Sequence, residues 1–417
     1  MLGIGAVASL YFLFKYKPFV LDWNAAPLIL MYCLPVWVLI HYCFFAQEPD
    51  LQWLEIKSLW VRVVAGMLIA TAMGVLIRKP DRINSVFIFA FFGMSISIMS
   101  VYVFESFQLS RLLTPYEFYE KFLFDRNKIN NAFFSVLGLA IGCASILYSY
   151  SSFRAKNYVV KSLVIFFLMT LCFSASVITD SKNGVGIGLI LISIFLLNFL
   201  ILLIRVKNQA RKIYGTLLIS ILAVIFSLLF AIHKDASPGW ETLFYDVQTA
   251  VQINQYQRWR GPEASGEQYP KNNLGLDVSR NTYERFAFMT AGTRELMKHP
   301  LGYGLINHPS FPRWLKKDGI NFDFQSSTHA GWVDFGLAFG FPAVLILFAA
   351  IFAVMIITFI NKSYTDYLVI WIVASIFILG FVQEITFKHT FEAAIFVISF
   401  CSSCSAEIGK KLNLKNV

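Results

Sequence analysis

Residues 185–204 read VGIGLILISIFLLNFLILLI and contain no charged side chain. Roughly 20 apolar residues are needed for a helix to cross the hydrocarbon core of a bilayer. The whole chain of 417 residues has the same character, because 57% of it is hydrophobic and only 14% is charged, whereas about a quarter of a soluble domain is charged. The sequence therefore predicts an all-α polytopic membrane protein.

Apolar stretches of similar length recur along the chain and predict about 11 to 12 transmembrane helices. The eleven candidate cores are 1–14, 27–45, 59–77, 85–104, 132–150, 158–177, 185–204, 215–232, 335–360, 367–382 and 389–405. The longest interruption is the polar and aromatic stretch 233–330. We therefore expect three parts: an N-terminal transmembrane bundle of about eight helices (1–232), a large exported loop subdomain (233–330), and C-terminal transmembrane helices with a tail (331–417).

Basic residues predict how the helices are oriented. Lysine and arginine are enriched in cytoplasmic connections, and here they lie on alternate connections. These residues are Lys15, Lys17, Arg78, Lys79, Arg82, Arg154, Lys156, Arg205, Lys207, Arg211, Lys212, Lys362, Lys410, Lys411 and Lys415. The complementary connections, 47–57, 105–131, 178–184, 233–330 and 383–388, are then exported. Much of the net charge of +10 is explained by contact with anionic lipid headgroups, so we expect no nucleic-acid partner.

The exported loops lack the usual signs of disulfide or metal chemistry. All six cysteines, Cys33, Cys43, Cys143, Cys172, Cys401 and Cys404, lie in apolar segments, so no disulfide is expected in the loop 233–330. Activation of a phosphate by Mg²⁺ or Ca²⁺ requires clustered oxygen ligands, and the exported loops contain no Asp-x-Asp motif or dense acidic cluster. The sequence predicts chemistry without a metal.

Three polar residues near membrane boundaries are candidates for function. Lys182 is a lone cation in the short connection 178–184, Arg285 lies on a helix-like run from Asn281 to His299, and His329 immediately precedes an apolar stretch. Each also has a structural interpretation, because a lysine at a helix end commonly snorkels to the interface, an arginine on a helix commonly faces solvent, and a boundary histidine is commonly packed. The residues alone leave both interpretations open.

Three sequence motifs resemble those of the O-antigen ligase and O-antigen polymerase superfamily of bacterial envelopes. RFAFM at 285–289, followed by KHPLGYG at 298–304, resembles an arginine-led helix that ends in a P-x-G-x-G turn. HAGWVDFG at 329–336, followed by Gly340, resembles the element H-N-x-x-L-E-x-x-x-x-G. TDSKNG at 179–184 lies where the family has a short S-R-S/T turn. Ala330, Asp334 and Lys182 replace the family's usual Asn, Glu and Arg.

The resemblance implies a GT-C-like glycosyltransferase fold with a periplasmic helical subdomain, in the bacterial inner membrane, with the active site facing the periplasm. Such enzymes move a glycan from an undecaprenyl diphosphate carrier to an acceptor hydroxyl, with no cofactor and, as expected above, no metal. His329 would be the base or orient the acceptor, and Asp334 would be its helix-end partner. The cations expected to bind the diphosphate are Lys182, Arg285, Arg258, Arg260 and Arg280.

Within this class, the predicted function is that of an O-antigen ligase, whose acceptor is the lipid A-core oligosaccharide. The alternative is an O-antigen or surface polysaccharide polymerase, which uses the same donor and a second lipid-linked glycan as acceptor. A lipid-linked glycan flippase is a more remote alternative. It would place ionisable groups at mid-bilayer or show related halves, whereas Arg62 and Lys161 lie near helix ends and no repeat is evident.

Overall fold

The computed structural model describes residues 2–16, 23–76, 91–115, 117–118, 125–152, 158–237, 239–361 and 364–405. Regular structure within these ranges is helical, and their one β pairing is an isolated bridge between Lys271 and Asp277. The predicted all-α class is therefore confirmed. Residues 85–90 of one predicted span, the basic connections at 78–82, 154–156 and 362, and the tail from 406 lie outside the described residues.

Sixteen α-helices lie within the described ranges and are numbered here in chain order. They are α1 (Leu2–Tyr16), α2 (Ala26–Phe44), α3 (Pro49–Glu55), α4 (Val61–Leu76), α5 (Gly93–Gln108), α6 (Asp125–Ser152), α7 (Tyr158–Ile178), α8 (Lys182–Arg205), α9 (Gln209–Ala236), α10 (Leu243–Ala250), α11 (Pro262–Ser265), α12 (Arg280–Lys298), α13 (Ser310–Lys317), α14 (Gly331–Asn361), α15 (Tyr364–Val382) and α16 (Lys388–Ser405). A π-helical segment, Ile56–Trp60, joins α3 to α4.

Seven helical segments in the described part of the chain are long and apolar enough to cross a membrane. They are Trp23–Phe44, Pro49–Leu76, Lys128–Ser151, Val159–Ile178, Lys182–Arg205, Gln209–Ala236 and Gly331–Ile360. Leu2–Lys15 and Tyr367–Val382 are apolar but shorter. The chain is therefore a multi-pass membrane protein, as predicted, while the count of 11 to 12 spans stays a prediction.

The helices pack into two compact units, each made of separate stretches of the chain, while the division into three consecutive parts stays a prediction. One unit comprises Met1–Leu76, Pro238–Ile357 and Leu379–Val417, and the other comprises Ile77–Ser237 and Thr358–Ile378. The segment 239–330, which is predicted to be exported and is called the exported segment below, thus packs with the first four helices and with the C-terminal part of the chain. We refer to these as the first and second units.

Glu55, at the end of α3, explains why the N-terminal helices belong with the exported segment. Its buried carboxylate accepts hydrogen bonds from the backbone N–H groups of Ile306, Asn307 and His308 at 2.9–3.1 Å, and from the His308 ring at 2.8 Å. A buried charge is tolerated when it is hydrogen-bonded in this way. The loop before α13 is therefore fixed to a helix more than 250 residues earlier in the chain.

Helix α14 is broken at Gly340, where φ is 75° and ψ is 179°. The break frees backbone groups, and the turn after α12 satisfies them: Tyr303 N–H donates to the Leu337 carbonyl, and Phe341 N–H donates to the Pro300 carbonyl, both at 2.8 Å. Residues 341–361 are by themselves long enough to span the hydrocarbon core. The nine residues from Gly331 to Phe339 therefore form a separate helical piece that follows His329.

Replacing Gly340 by alanine is expected to destabilise this junction strongly. The backbone there lies in a region that is essentially restricted to glycine, and a Cβ would lie 2.4 Å from the Pro300 carbonyl oxygen. We expect the Tm of purified protein to fall by about 5–10 °C. Gly275→Ala is the matched control, because its φ is 76° and its Cβ would meet no atom within 4 Å. Equal losses of Tm in the two variants would contradict the close packing of Gly340 against the turn at Pro300.

Candidate functional site

His329 lies in a turn whose backbone is constrained. Its φ is 61°, a left-handed conformation that is uncommon for a residue other than glycine. The turn is tied to the following helix by Asp334, whose Oδ1 accepts hydrogen bonds from the backbone N–H and the hydroxyl of Thr328, each at 2.8 Å. Strained residues of this kind cluster at functional sites, and here the strain fixes where the histidine ring projects.

The ring of His329 forms a hydrogen bond with Glu384. Nδ1 contacts the carboxylate, and the two side chains are 23% and 18% exposed. Because a carboxylate can only accept, Nδ1 carries the proton of this bond, and Nε2 of the neutral ring is left with a lone pair. Nε2 makes no hydrogen bond to a described residue. The geometry is that of a histidine oriented by an acid, with its other nitrogen available as a base.

Phe288 positions the same ring from α12. The rings of Phe288 and His329 stack with centroids 5.9 Å apart and an interplanar angle of 14°. Phe288 belongs to the core of the exported segment, together with Tyr283, Phe311 and Trp314. The imidazole is thus held between an aromatic face and a carboxylate, and it does not move freely in solvent.

Arg285 precedes Phe288 by three residues and therefore projects from a neighbouring part of the same face of α12. Its side chain is partly buried, and the guanidinium donates no hydrogen bond to any residue that the structure describes. Burial lowers the pKa of Arg285, and the negative charge of Glu384 opposes this effect. An arginine is charged at any physiological pH, so this is a cation whose donors are available to an anionic ligand.

Glu384 links the two candidate residues electrostatically. Burial by itself raises the pKa of Glu384, but the hydrogen bond from His329 and the charge of Arg285 outweigh it, so the pKa lies below its ordinary value. The carboxylate therefore stabilises this cluster fully above the ordinary carboxyl pKa, and the stabilisation is lost as the pH falls through the lowered pKa. At neutral pH Glu384 is ionised.

Sequence reasoning missed Glu384. It is the one acid in the short connection 383–388, which the charge pattern assigns to the exported side together with His329. The prediction that both residues lie on the same side of the membrane was the available signal that Glu384 could contact His329. The contact itself is tertiary: Gly331 N–H donates to the Gln383 carbonyl at 3.0 Å, which brings the start of α14 beside the end of α15.

Replacing Glu384 by glutamine tests whether its charge orients His329. The amide oxygen still accepts from Nδ1–H, but the ionic part of the interaction is lost. Hydrogen bonds to charged groups contribute about 1.5–3 kcal/mol, so the turnover rate of the reaction proposed below is expected to fall by about 10- to 100-fold. Glu392→Gln is the control, because Glu392 also pairs with a cation, Arg62 at 2.8 Å. Equal rates in the two variants would remove Glu384 from the mechanism.

Lys182 lies in the second unit, as the first residue of α8. Ser181 caps this helix by accepting a hydrogen bond from Gly184 N–H at 3.2 Å. Asp180, with φ of 48°, precedes the cap. Its carboxylate lies 3.5 Å from Lys128 Nζ and 3.5 Å from His233 Nε2. The turn that holds Lys182 therefore joins α7 to α8 and lies beside Lys128 of α6 and His233 of α9.

These contacts also determine the charge of Asp180. Burial raises its pKa, and the nearby His233 ring and the charge of Lys128 more than compensate, so the pKa is below its ordinary value. Asp180 is thus ionised at neutral pH, and the polar turn carries both an anion and the predicted diphosphate-binding cation.

The other predicted cations have protein partners. Arg280 pairs with Glu284 at 3.0 Å, the guanidinium of Arg258 lies 4.5 Å above the Tyr269 ring, and that of Arg260 lies 5.5 Å from the Trp259 ring. Arg258 Nη1 and Arg260 Nε are buried without a hydrogen bond to the described part of the chain. Arg258 and Arg260 can therefore still donate hydrogen bonds to an anion, whereas Arg280 is already paired with Glu284.

One group of described residues outside this site has the composition of a metal centre, namely Glu295, His299 and Asp318 on the exported segment. Glu384, His329 and Arg285 contribute one acid, one histidine and one cation, which favours proton transfer and anion binding over metal ligation. The cluster therefore combines a cation with an imidazole that an acid orients. Comparisons with protein-family models, curated proteins and solved structures found no match.

Proposed function

We propose that this protein is an O-antigen ligase, a metal-independent glycosyltransferase with a GT-C-like fold. It transfers a polysaccharide from undecaprenyl diphosphate to the lipid A-core oligosaccharide at the periplasmic face of the bacterial inner membrane. The observation that carries the proposal is the grouping of Arg285, Glu384 and His329 in one cluster. The motif resemblance supplies the substrate class.

The proposed reaction assigns one task to each member of the cluster. The acceptor hydroxyl attacks the anomeric carbon of the donor, its proton passes to Nε2 of His329, and the bond between that carbon and the diphosphate oxygen breaks. Glu384 stabilises the imidazolium that forms. The diphosphate leaves with the electron pair of the broken bond, and Arg285 stabilises the charge that develops on it.

The motif resemblance alone assigns Lys182 to the diphosphate, and substitution tests that assignment. Lys182→Arg is expected to retain transfer, because arginine keeps the charge and adds a bidentate donor. Lys182→Ala is expected to lower transfer by about tenfold or more, since a hydrogen bond to a charged group contributes about 1.5–3 kcal/mol. Initial rates at saturating acceptor measure both effects. A fully active Lys182→Ala protein would indicate that Lys182 only snorkels to the membrane interface.

The polymerase alternative shares this chemistry and differs in its acceptor. The flippase alternative needs no base, so it leaves the pairing of His329 with Glu384 without a function. The test uses protein in membranes or detergent and supplies an undecaprenyl-diphosphate-linked glycan as donor. One reaction contains lipid A-core as acceptor, and the other contains further lipid-linked glycan. Each reaction is run with and without EDTA.

The products decide between the alternatives. Glycan joined to lipid A-core supports the ligase, whereas lengthened lipid-linked chains alone overturn it in favour of the polymerase. Absence of both products from correctly inserted protein overturns the transferase class. Loss of product in EDTA, at a temperature where the protein stays folded, would overturn the metal-independent mechanism.

A further inference from the structure

A second polar cluster lies where the end of α12 meets the end of α13. Glu295 and His299 are four residues apart, which places them on one face of α12, and Asp318 directly follows α13. The candidate ligand atoms of the three side chains all lie within 4.8 Å of one another. Nε2 of His299 is 3.0 Å from Asp318 Oδ1 and 3.9 Å from Glu295 Oε2.

One carboxylate oxygen of Glu295 is left without a partner in this cluster. The residue is 2% exposed, and its Oε2 is buried without a hydrogen-bond partner among the described residues. Lys298 contacts Glu295 Oε1 at 2.7 Å and Asp318 Oδ2 at 3.2 Å, so each carboxylate gives one oxygen to the lysine and turns the other towards His299. A buried carboxylate oxygen without a partner is costly, and a cation bound there would remove that cost.

The imidazole of His299 is held in a fixed orientation. Its ring stacks on Trp314 with centroids 3.8 Å apart and an interplanar angle of 4°. Trp314 in turn donates a hydrogen bond from its indole N–H to the Leu337 carbonyl at 3.2 Å. A ring fixed by packing loses little freedom when it binds a ligand, which favours ligation.

We propose that Glu295, His299 and Asp318 bind a Zn²⁺ ion that fastens the end of α12 to the end of α13. One nitrogen and two carboxylate oxygens form a ligand set that zinc accepts, at bond lengths of about 2.0–2.2 Å with a water molecule in the fourth position. Mg²⁺ and Ca²⁺ prefer six or more oxygen ligands, so they match this cluster poorly.

This zinc would have a structural role. Glu295 follows Arg285 by ten residues, which is about 15 Å along the helix axis. The ion therefore lies away from the proposed reacting groups, and its effect is on the stability of the exported segment. Zinc binding and glycan transfer are thereby separable, and either proposal can fail while the other holds.

The test uses the full chain, purified in detergent, depleted of metal by a chelator and then titrated with zinc chloride. We expect about one zinc ion per protein and a rise in Tm on the order of 5 °C when zinc exceeds its Kd about 100-fold, with no such rise from magnesium chloride. Asp318→Asn and His299→Gln should lose both effects. His389→Gln is the control, because His389 also faces a glutamate, Glu392 at 3.6 Å, with no third ligand among the described residues.

Lys298→Met distinguishes a metal site from an ordinary ion-pair cluster. Without zinc this variant leaves two neighbouring carboxylates unneutralised, so its Tm should be lower than that of the natural protein. With zinc it should recover, and it should bind zinc more tightly, because the ammonium that repels the metal is gone. A Tm that zinc does not raise, or zinc uptake that Asp318→Asn leaves unchanged, would overturn the site. Zinc-depleted protein should still transfer glycan below its lowered Tm.

Discussion

Replacing His329 by alanine is expected to lower the rate of glycan transfer by about 10²- to 10⁴-fold, the range typical for loss of a positioned general base. The acceptor hydroxyl is a weak nucleophile while it keeps its proton, and the described structure offers Nε2 of His329 as an oriented acceptor for that proton. The rate at saturating donor and acceptor is the quantity to compare, since the effect concerns turnover and not donor binding.

The backbone of His329 requires a second variant. Alanine adopts a φ of 61° less readily than asparagine, so a loss of activity in His329→Ala alone could reflect a distorted turn. His329→Asn tolerates the turn and cannot act as a base, and it should be equally impaired. His308→Asn is the control, because His308 also contacts a glutamate, Glu55 at 2.8 Å, outside the proposed site. Normal transfer by correctly inserted His329→Asn protein would exclude His329 as the base.

The helices could be predicted from local patterns in the sequence. Hydropathy predicts the spans because the requirement for apolar length acts on consecutive residues. The exported helix predicted over 281–299 is observed as Arg280–Lys298, because Pro300 ends it through its fixed φ and missing N–H. The break in α14 was missed. The apolar stretch 335–360 has no polar interruption at Gly340, and the break depends on a turn 40 residues earlier in the chain that satisfies its backbone groups.

Only part of the candidate site could be predicted from the sequence, because the rest depends on contacts between distant residues. Arg285 and His329 were found from motifs, each with its own local signal. Nothing in a single sequence indicates that His329 contacts Glu384 or that the charge of Arg285 acts on that carboxylate. Both interactions depend on how α12, α14 and the connection after α15 pack, and such contacts between distant residues are set by the whole fold. The spacing of four residues between Arg280 and Glu284 was an available signal that Arg280 is neutralised, whereas no local pattern indicates that Arg285 has no hydrogen-bonding partner in the described structure.

Replacing Arg285 by alanine is expected to lower transfer by about 10²- to 10³-fold, which is the usual cost of removing one donor that stabilises charge in the transition state. Two effects add in this variant. The diphosphate loses a cation as it departs, and Glu384 loses the Arg285 charge that helps to keep it ionised. Arg285→Lys should recover part of the rate, since it restores the charge but not the bidentate geometry.

The two effects can be separated by combining substitutions. If Arg285 acted only by keeping Glu384 ionised, then Arg285→Ala would cost nothing further in a Glu384→Gln background, whereas a cation that binds the diphosphate remains important there. Arg294→Ala is the control on the same helix, because Arg294 is exposed and bonded to Asn254 at 2.7 Å. We expect most of the loss to persist in the Glu384→Gln background. Its disappearance would make Arg285 a positioning residue, and diphosphate binding would then have to come from the other cations.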